Sequence, residues 1–326
     1  MIFLTALQVI NCNADEIVLK FIEKIETELA MWLLFALITF FAWGTADLFY
    51  KKSNERDEKY AHLKTSIVVG VIMGITAVIT LIVKQVNYNP VNILIYLPVS
   101  LTYILSMTVG YFGLRYIELS VSSPIQNASG AVSCILLIIV TRRLPGAAHI
   151  VAVAVITLGV VLLGVFEKKR ATLKSFSAFF MPILYCIIDS LGTFFDGWFL
   201  DSVESSPLVG VTEENLEDVA NISYQLTFFI VAVLLFIYVV LIKKETMKPK
   251  MQKDRLFAGL FETAGQLTYV YALSGNGIVA APVIASYCVC SAVLAHIFMK
   301  EKLDFKQYIS IALVVVGIVI LALMEV

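Results

Sequence analysis

Residues 277–302 read GIVAAPVIASYCVCSAVLAHIFMKEK, and residues 119–144 read LSVSSPIQNASGAVSCILLIIVTRRL. Each stretch passes from a short turn through a proline into an apolar run that ends on a charged pair, Lys300-Glu301 or Arg142-Arg143. Laid over one another they align Pro124 with Pro282 and Ser133 with Ser291. The same spacing aligns Tyr111 with Tyr269, Gly159 with Gly317 and Glu167 with Glu325. A single recurring spacing is the mark of an internal repeat.

The rest of the chain has the same character. Of its 326 residues 60% are hydrophobic and 15% charged, against about 25% charged in a soluble domain. A chain of mean hydropathy +0.89 has too little polar surface to face water all round, so its solvent is largely lipid. A spanning helix needs roughly 20 apolar residues. Ten runs qualify: 31–50, 65–83, 92–114, 121–141, 147–166, 176–200, 220–242, 255–274, 277–298 and 306–324. Lipid-exposed open strands would leave backbone groups unpaired. The expected fold is therefore an all-α integral membrane bundle of ten transmembrane helices. Residues 31–167 form one five-helix repeat and residues 176–325 the second. Five is odd, so the second copy is inverted across the membrane. An inverted repeat is a transporter signature, with the substrate site near the midplane.

Residues 1–30 read differently, mixing Lys20 and Lys24 with Glu16, Glu23, Glu26 and Glu28. They lack the basic start and small-residue cleavage site of a signal peptide. They are expected to be an extension ahead of a true start at Met31, or else an interfacial amphipathic segment.

Basic residues are unevenly placed. The odd-numbered loops hold clusters such as Lys51, Lys52, Arg56, Lys59 and Lys64, or Lys168, Lys169, Arg170 and Lys174; the even-numbered loops hold only Lys84, Arg142 and Arg143. The loop after the sixth helix is acidic, with Asp201, Glu204, Glu213 and Glu214. The positive-inside rule puts the odd loops in the cytoplasm and both termini outside. Lysines far outnumber arginines, which points to a bacterial source and the cytoplasmic membrane.

Three segments carry a family resemblance. They are Ala42-Trp43-Gly44-Thr45-Ala46-Asp47, Tyr111 through Ala128, and Ala280-Ala281-Pro282 through Lys300-Glu301-Lys302-Leu303. In these the chain resembles the EamA-type ten-helix members of the drug/metabolite transporter superfamily, over about residues 31–326. Lys300 stands where the family commonly has Gly, and Arg142-Arg143-Leu144 lacks the usual Glu. The resemblance implies a five-plus-five bundle around a central cavity, working by alternating access. Members are usually pictured with cytoplasmic termini, against the charge count here.

Ionisable groups inside a membrane are costly and mark pathways. The candidates for substrate binding are Asp189 with Tyr185 beside it, Asp47 after Trp43, and Glu262 with Gln266 and Tyr269 at helical spacing. Tyr111 and Tyr287 add aromatic walls, and Gln126 and Asn127 follow the Pro124 break. The plainer readings are that Asp47 and Asp196 sit at the interface and that Glu262 pairs with Arg255. The deep charges are acidic, so the expected solute is a cation or amine, with proton coupling an option. A lipid flippase and a non-transport receptor are the alternatives. His62, His149 and His296 fall in no metalloprotease spacing, and no G-x-S-x-G or Walker motif occurs, so no enzyme activity, metal or cofactor is expected. The five cysteines read as apolar fillers. Expected partners are a small-molecule solute and the lipid bilayer, with a homodimer left open and no nucleic acid. Gly70 and Gly74 form a GxxxG pattern for close packing.

Overall fold

The computed structural model describes residues 31–53, 58–113, 122, 125–167, 176–247 and 252–324. Among these every regular element is a helix. Helix α1 spans Met31–Ser53. It is followed by α2 (Ala61–Val83), α3 (Val91–Ile95), α4 (Leu97–Gly113), α5 (Ser129–Thr141), α6 (Ala147–Glu167) and α7 (Phe176–Phe199). Then come α8 (Leu216–Phe236), continued by a π-helical turn over Ile237–Ile242, α9 (Lys253–Ala285), α10 (Tyr287–Met299) and α11 (Phe305–Met324). The expected extension over residues 1–30, the Pro124 turn and the Glu325 end of the repeat lie outside the described residues.

Six helical stretches are long and apolar enough to cross a membrane, and Leu97–Gly113, Ile125–Thr141 and Ala147–Leu163 are shorter apolar helices. One of the six, Lys253–Met299, runs 47 residues. Drawn straight it would be about 70 Å, more than twice the roughly 30 Å hydrocarbon core. It is not straight. Asn276, between Gly275 and Gly277, leaves helical geometry (φ −160°, ψ 72°), and Ser286 (φ −70°, ψ 0°) separates α9 from α10. The first break falls between the expected runs 255–274 and 277–298. A smaller break at Tyr96 divides α3 from α4. Pro98 has no N–H to return to the Leu94 carbonyl, so the ladder cannot run through.

The helices turn apolar side chains outward and polar ones inward. Leu34, Ile38 and Phe41 on α1, Ile75, Ile79 and Ile82 on α2, and Ile135 and Ile139 on α5 are all exposed. Asp47, Asp189, Asp196, Glu262, Gln225 and Gln266 are buried. A soluble bundle does the reverse. Lipid on the outside accounts for it: the chain is a multi-pass integral membrane protein.

Packing is set by small residues. A Cβ at Gly70 would lie 2.4 Å from the Phe228 carbonyl oxygen, and one at Gly74 would lie 2.5 Å from the Phe229 ring, so the GxxxG of α2 seats α8. The α6–α11 pair is reciprocal. A Cβ at Gly159 would meet Val314 at 2.6 Å and the Ser310 carbonyl at 2.8 Å; one at Gly317 would meet Ile156 at 2.6 Å and the Ala152 carbonyl at 3.0 Å.

Polar contacts tie the two ends. At one end Glu58 accepts from Lys64 Nζ (2.8 Å) and Arg255 Nη2 (2.5 Å), and Gln252 accepts from Arg255 Nη1 (3.1 Å). Arg255 is 0% exposed and Lys64 1%. Burial alone would raise the Glu58 carboxyl, but the hydrogen bonds from Lys64 and Arg255 outweigh it and hold it below the usual carboxylate range. At the opposite end Lys84 donates to Asp218 (2.7 Å) and Arg143 to Asp201 (2.8 Å). There Asn92 clamps the long loop after α7, donating to the Val209 carbonyl (2.9 Å) and accepting from its N–H (2.8 Å).

Two outcomes follow. Gly159→Leu forces α6 off α11; overpacking of this kind costs about 1–3 kcal/mol. Its thermal midpoint in detergent falls, while Gly159→Ala falls less. The carboxyl of Glu58 is depressed, so its stabilisation is present above its unfolded pKa and is lost as pH falls through the folded value. Melting curves of the wild type drop on acidification, and Glu58→Gln is less stable at neutral pH with a flatter acid limb.

Candidate functional site

Between α1, α4, α7, α8 and α9 lies a central cavity with about 720 Å³ of space between its atoms, part of it open to the outside. Helix α1 contributes Trp43, Asp47 and Tyr50, which share a face by four-then-three spacing. Helix α4 contributes Tyr103, Met107, Gly110 and Tyr111; α7 contributes Tyr185, Asp189 and Thr193; α9 contributes Glu262, Tyr269, Ala281, Ile284 and Ala285. Gln126, Asn127 and Ser129 at the head of α5, Tyr224 of α8 and Tyr287 of α10 complete the wall.

Three carboxyl groups face this space, each held by hydroxyls. Asp189 accepts from Ser129 Oγ at 2.7 Å and from Ser106 Oγ at 3.3 Å. Asp47 accepts from Ser291 Oγ at 2.7 Å. Glu262 accepts from the Tyr50 phenol at 3.0 Å, and its backbone carbonyl accepts from Trp43 Nε1 at 3.3 Å. No Lys, Arg or His is among the described residues of the lining. The suspected Glu262–Arg255 pair does not form: Arg255 turns to Glu58, in the loop ahead of α2.

Aromatic rings close the cavity. Trp43 lies 4.8 Å from Tyr269 and 5.8 Å from Tyr287, centroid to centroid, and Tyr50 lies 4.3 Å from Tyr111. Gly265 and Gly110 make this possible. A Cβ at Gly265 would sit 2.4 Å from Trp43, and one at Gly110 would sit 2.9 Å from Tyr185. Tyr103 joins the Tyr269 hydroxyl and Thr193 Oγ1, the latter at 2.8 Å.

Trp43, Asp47, Tyr111, Gln126, Asn127, Tyr185, Asp189, Glu262, Tyr269 and Tyr287, all expected from the sequence, thus meet around one cavity. Gln266 does not reach it. It is 0% exposed and its amide has no hydrogen-bond partner. At about 100° per residue Gln266 is turned roughly 60° from Tyr269. That points it toward the side on which Gly259 meets Ile72 and Val69 of α2. Asp196, read as interfacial, is wholly buried. Tyr50, Tyr103 and Tyr224 were not anticipated. Tyr50 was open to inference, since it follows Asp47 by three residues and Trp43 by seven.

A solved crystal structure superposes on this chain with a TM-score of 0.64 at 13% identity, covering 90% of this chain and 97% of its own; that likeness concerns the fold alone. No curated protein matches. The model of the EamA-like transporter family matches residues 30–165 and 214–323, leaving α7 and most of the loop after it between the two matches. The chain belongs to the EamA-like transporter family, and is a membrane transporter of the drug/metabolite transporter superfamily.

Proposed function

We propose that the protein is a secondary transporter of a small cationic or amine-containing solute, carried through the central cavity by alternating access. One observation carries the reading: Asp47, Asp189 and Glu262 line the cavity, and no described Lys, Arg or His accompanies them. A cation in low dielectric gains strongly from carboxylates, and an anionic solute would be repelled by them. The faces of Trp43, Tyr269 and Tyr287 suit a quaternary or aromatic cation, at about 0.5–2 kcal/mol per ring contact. A site residue set of Trp43, Asp47, Tyr111, Gln126, Asn127, Tyr185, Asp189, Glu262, Tyr269 and Tyr287, with Tyr50 added, follows from the same lining.

The inverted five-plus-five architecture has its own support. The Gly159 and Gly317 contacts are reciprocal at the repeat spacing. Ser133 Oγ lies within hydrogen-bond reach of the Ser129 and Ser190 carbonyls, and Ser291 Oγ within reach of those of Tyr287 and Gly44. The helix breaks at Ala128 and Ser286 correspond, and so do the left-handed caps at Arg142 (φ 54°) and Lys300 (φ 59°). Counting Lys253–Met299 as two crossings, with the three shorter apolar helices, gives ten. Lysine and arginine placement then puts the Glu58 end in the cytoplasm of a bacterial inner membrane and both termini outside.

Thermal-shift measurements on purified protein test the solute class, using quaternary ammonium ions, amines, amino acids, sugars, nucleosides and nucleotide sugars at two pH values. Binding to the folded state raises the midpoint by mass action. An ammonium ion or amine stabilises the wild type, more so at the higher pH. Asp189→Asn and Glu262→Gln each weaken its apparent affinity by about tenfold or more, the worth of a lost charge-assisted bond. A response confined to neutral or anionic solutes, with both variants behaving as wild type, overturns the proposal.

A further inference from the structure

Asp196 has no part in the cavity wall, yet it is the most deeply buried of the acidic groups on α7. Its residue exposure is 0%. The Tyr96 phenol, itself 0% exposed, donates to Oδ1. Oδ2 has no hydrogen-bond partner. The titratable groups that face Asp196 are phenols: Tyr96 at the break between α3 and α4, Tyr103 of α4, Tyr224 of α8 and Tyr269 of α9. Arg143 lines the neighbouring cavity together with Gly197, and its guanidinium is taken by Asp201 at 2.8 Å. A carboxylate ion buried without a counter-charge costs several kcal/mol, whereas a carboxylic acid is a neutral donor and acceptor.

Its position gives this chemistry a use. Asp189, Thr193 and Asp196 follow one another at four-then-three spacing and lie on one face of α7. Each meets a hydroxyl on or just before α4: Asp189 meets Ser106 at 3.3 Å, Thr193 meets Tyr103 at 2.8 Å, and Asp196 meets Tyr96. Successive rungs rise by about 5 Å, one turn of helix. The two helices are pressed together there, since a Cβ at Gly192 would lie 2.8 Å from Thr102 Oγ1. The first two rungs line the central cavity. The residue after the last, Gly197, lines a second cavity of about 930 Å³ shared with Arg143, His149, Asp201 and Asn276 at the Asp201 end.

We propose that Asp196 with Tyr96 is a proton-carrying site outside the solute cavity, the last station of a hydroxyl ladder along α4 and α7 that joins Asp189 to the vestibule at the Asp201 end. The Ser106, Thr193 and Tyr103 hydroxyls stand between Asp189 and Asp196 as separate hydrogen-bonded pairs about one helical turn apart, and a proton leaving Asp189 is passed by way of them when side-chain rotation or entering water closes the gaps between rungs. At each step one O–H bond breaks as the next forms. The proton comes to rest on the Asp196 carboxylate, making it the neutral acid. Release to water in the vestibule returns Asp196 to the ion. Solute entering the cavity as a cation can thereby be exchanged for a proton that leaves the shared cavity wall for Asp196. This rests on the cation-transport reading in naming the proton as the coupling ion, but the protonation of Asp196 stands apart from it.

Infrared difference spectra between acid and alkaline buffer, recorded on lipid-reconstituted protein without solute, test the site directly. The wild type shows a carboxylic-acid C=O band that disappears in Asp196→Asn and moves in Tyr96→Phe, which loses only the phenol bond. Identical spectra in wild type and Asp196→Asn overturn the proposal. In vesicles carrying a pH-sensitive dye, a quaternary ammonium gradient drives proton flux through the wild type. Asp196→Asn and Tyr96→Phe reduce that flux at least tenfold and leave the ammonium thermal shift as in wild type. Undiminished flux in both variants, or loss of the thermal shift, overturns the ladder. A wild type that ignores every ammonium ion yet keeps the Asp196 band defeats the solute assignment and leaves the proton site intact.

Discussion

Hydrocarbon offers no hydrogen bonds, so every polar group carried into the membrane must find its partner inside the protein. The rest of the structure depends on that constraint. Main-chain groups are settled by helices. The carboxyls of Asp47, Asp189 and Glu262, which no helix can satisfy, are each given a hydroxyl from another element: Ser291 of α10, Ser129 and Ser106 of α5 and α4, and Tyr50 of α1. These bonds cross between helices far apart in the chain. They therefore assemble the cavity as well as line it.

The constraint also explains where the cations lie. Arg255 and Lys64 are as buried as any carboxyl, but they sit at the end of the bundle and share Glu58. Breaking such a pair strands a buried charge, at roughly 3–5 kcal/mol. Confined to the end, the pair stiffens the junction of α2 with α9 without neutralising the cavity. Had Arg255 turned to Glu262 instead, one of the three cavity carboxyls would have been taken up in an ion pair. The Tyr50 hydroxyl is a weaker partner, and so leaves Glu262 available to a solute.

Much of this was legible in the chain. Apolar run lengths mark the helices, and Gly275-Asn276-Gly277 marks the break that divides a 47-residue stretch. The carboxyls were found because an ionisable residue in an apolar run has few bland explanations. What failed was direction around the helix axis. Gln266 keeps helical spacing with Glu262 and Tyr269, but the close approach of α2 at Gly259 claims its side of α9. Tyr50, Tyr103 and Tyr224 escaped notice because tyrosine is common at membrane interfaces as well as in cavities. The partner of Arg255 was hidden for another reason: Glu58 lies almost two hundred residues away and is brought near only by the packing of α2.

Asp196 shows why distance from a helix end is a poor guide to burial. It stands one turn from the end of α7, where a carboxylate would ordinarily reach water. It is nonetheless wholly buried, with Oδ1 taken by Tyr96. Asn92 grips the long loop after α7 at both the N–H and the carbonyl of Val209. Leu208 and Leu200 are buried, so the loop folds inward over the helix end. The Arg143–Asp201 pair ties the start of the same loop. On the proton-site proposal, a carboxyl buried in this way beside a clamped loop would be suited to open toward one side at a time. Alternating access requires that of any ion it carries.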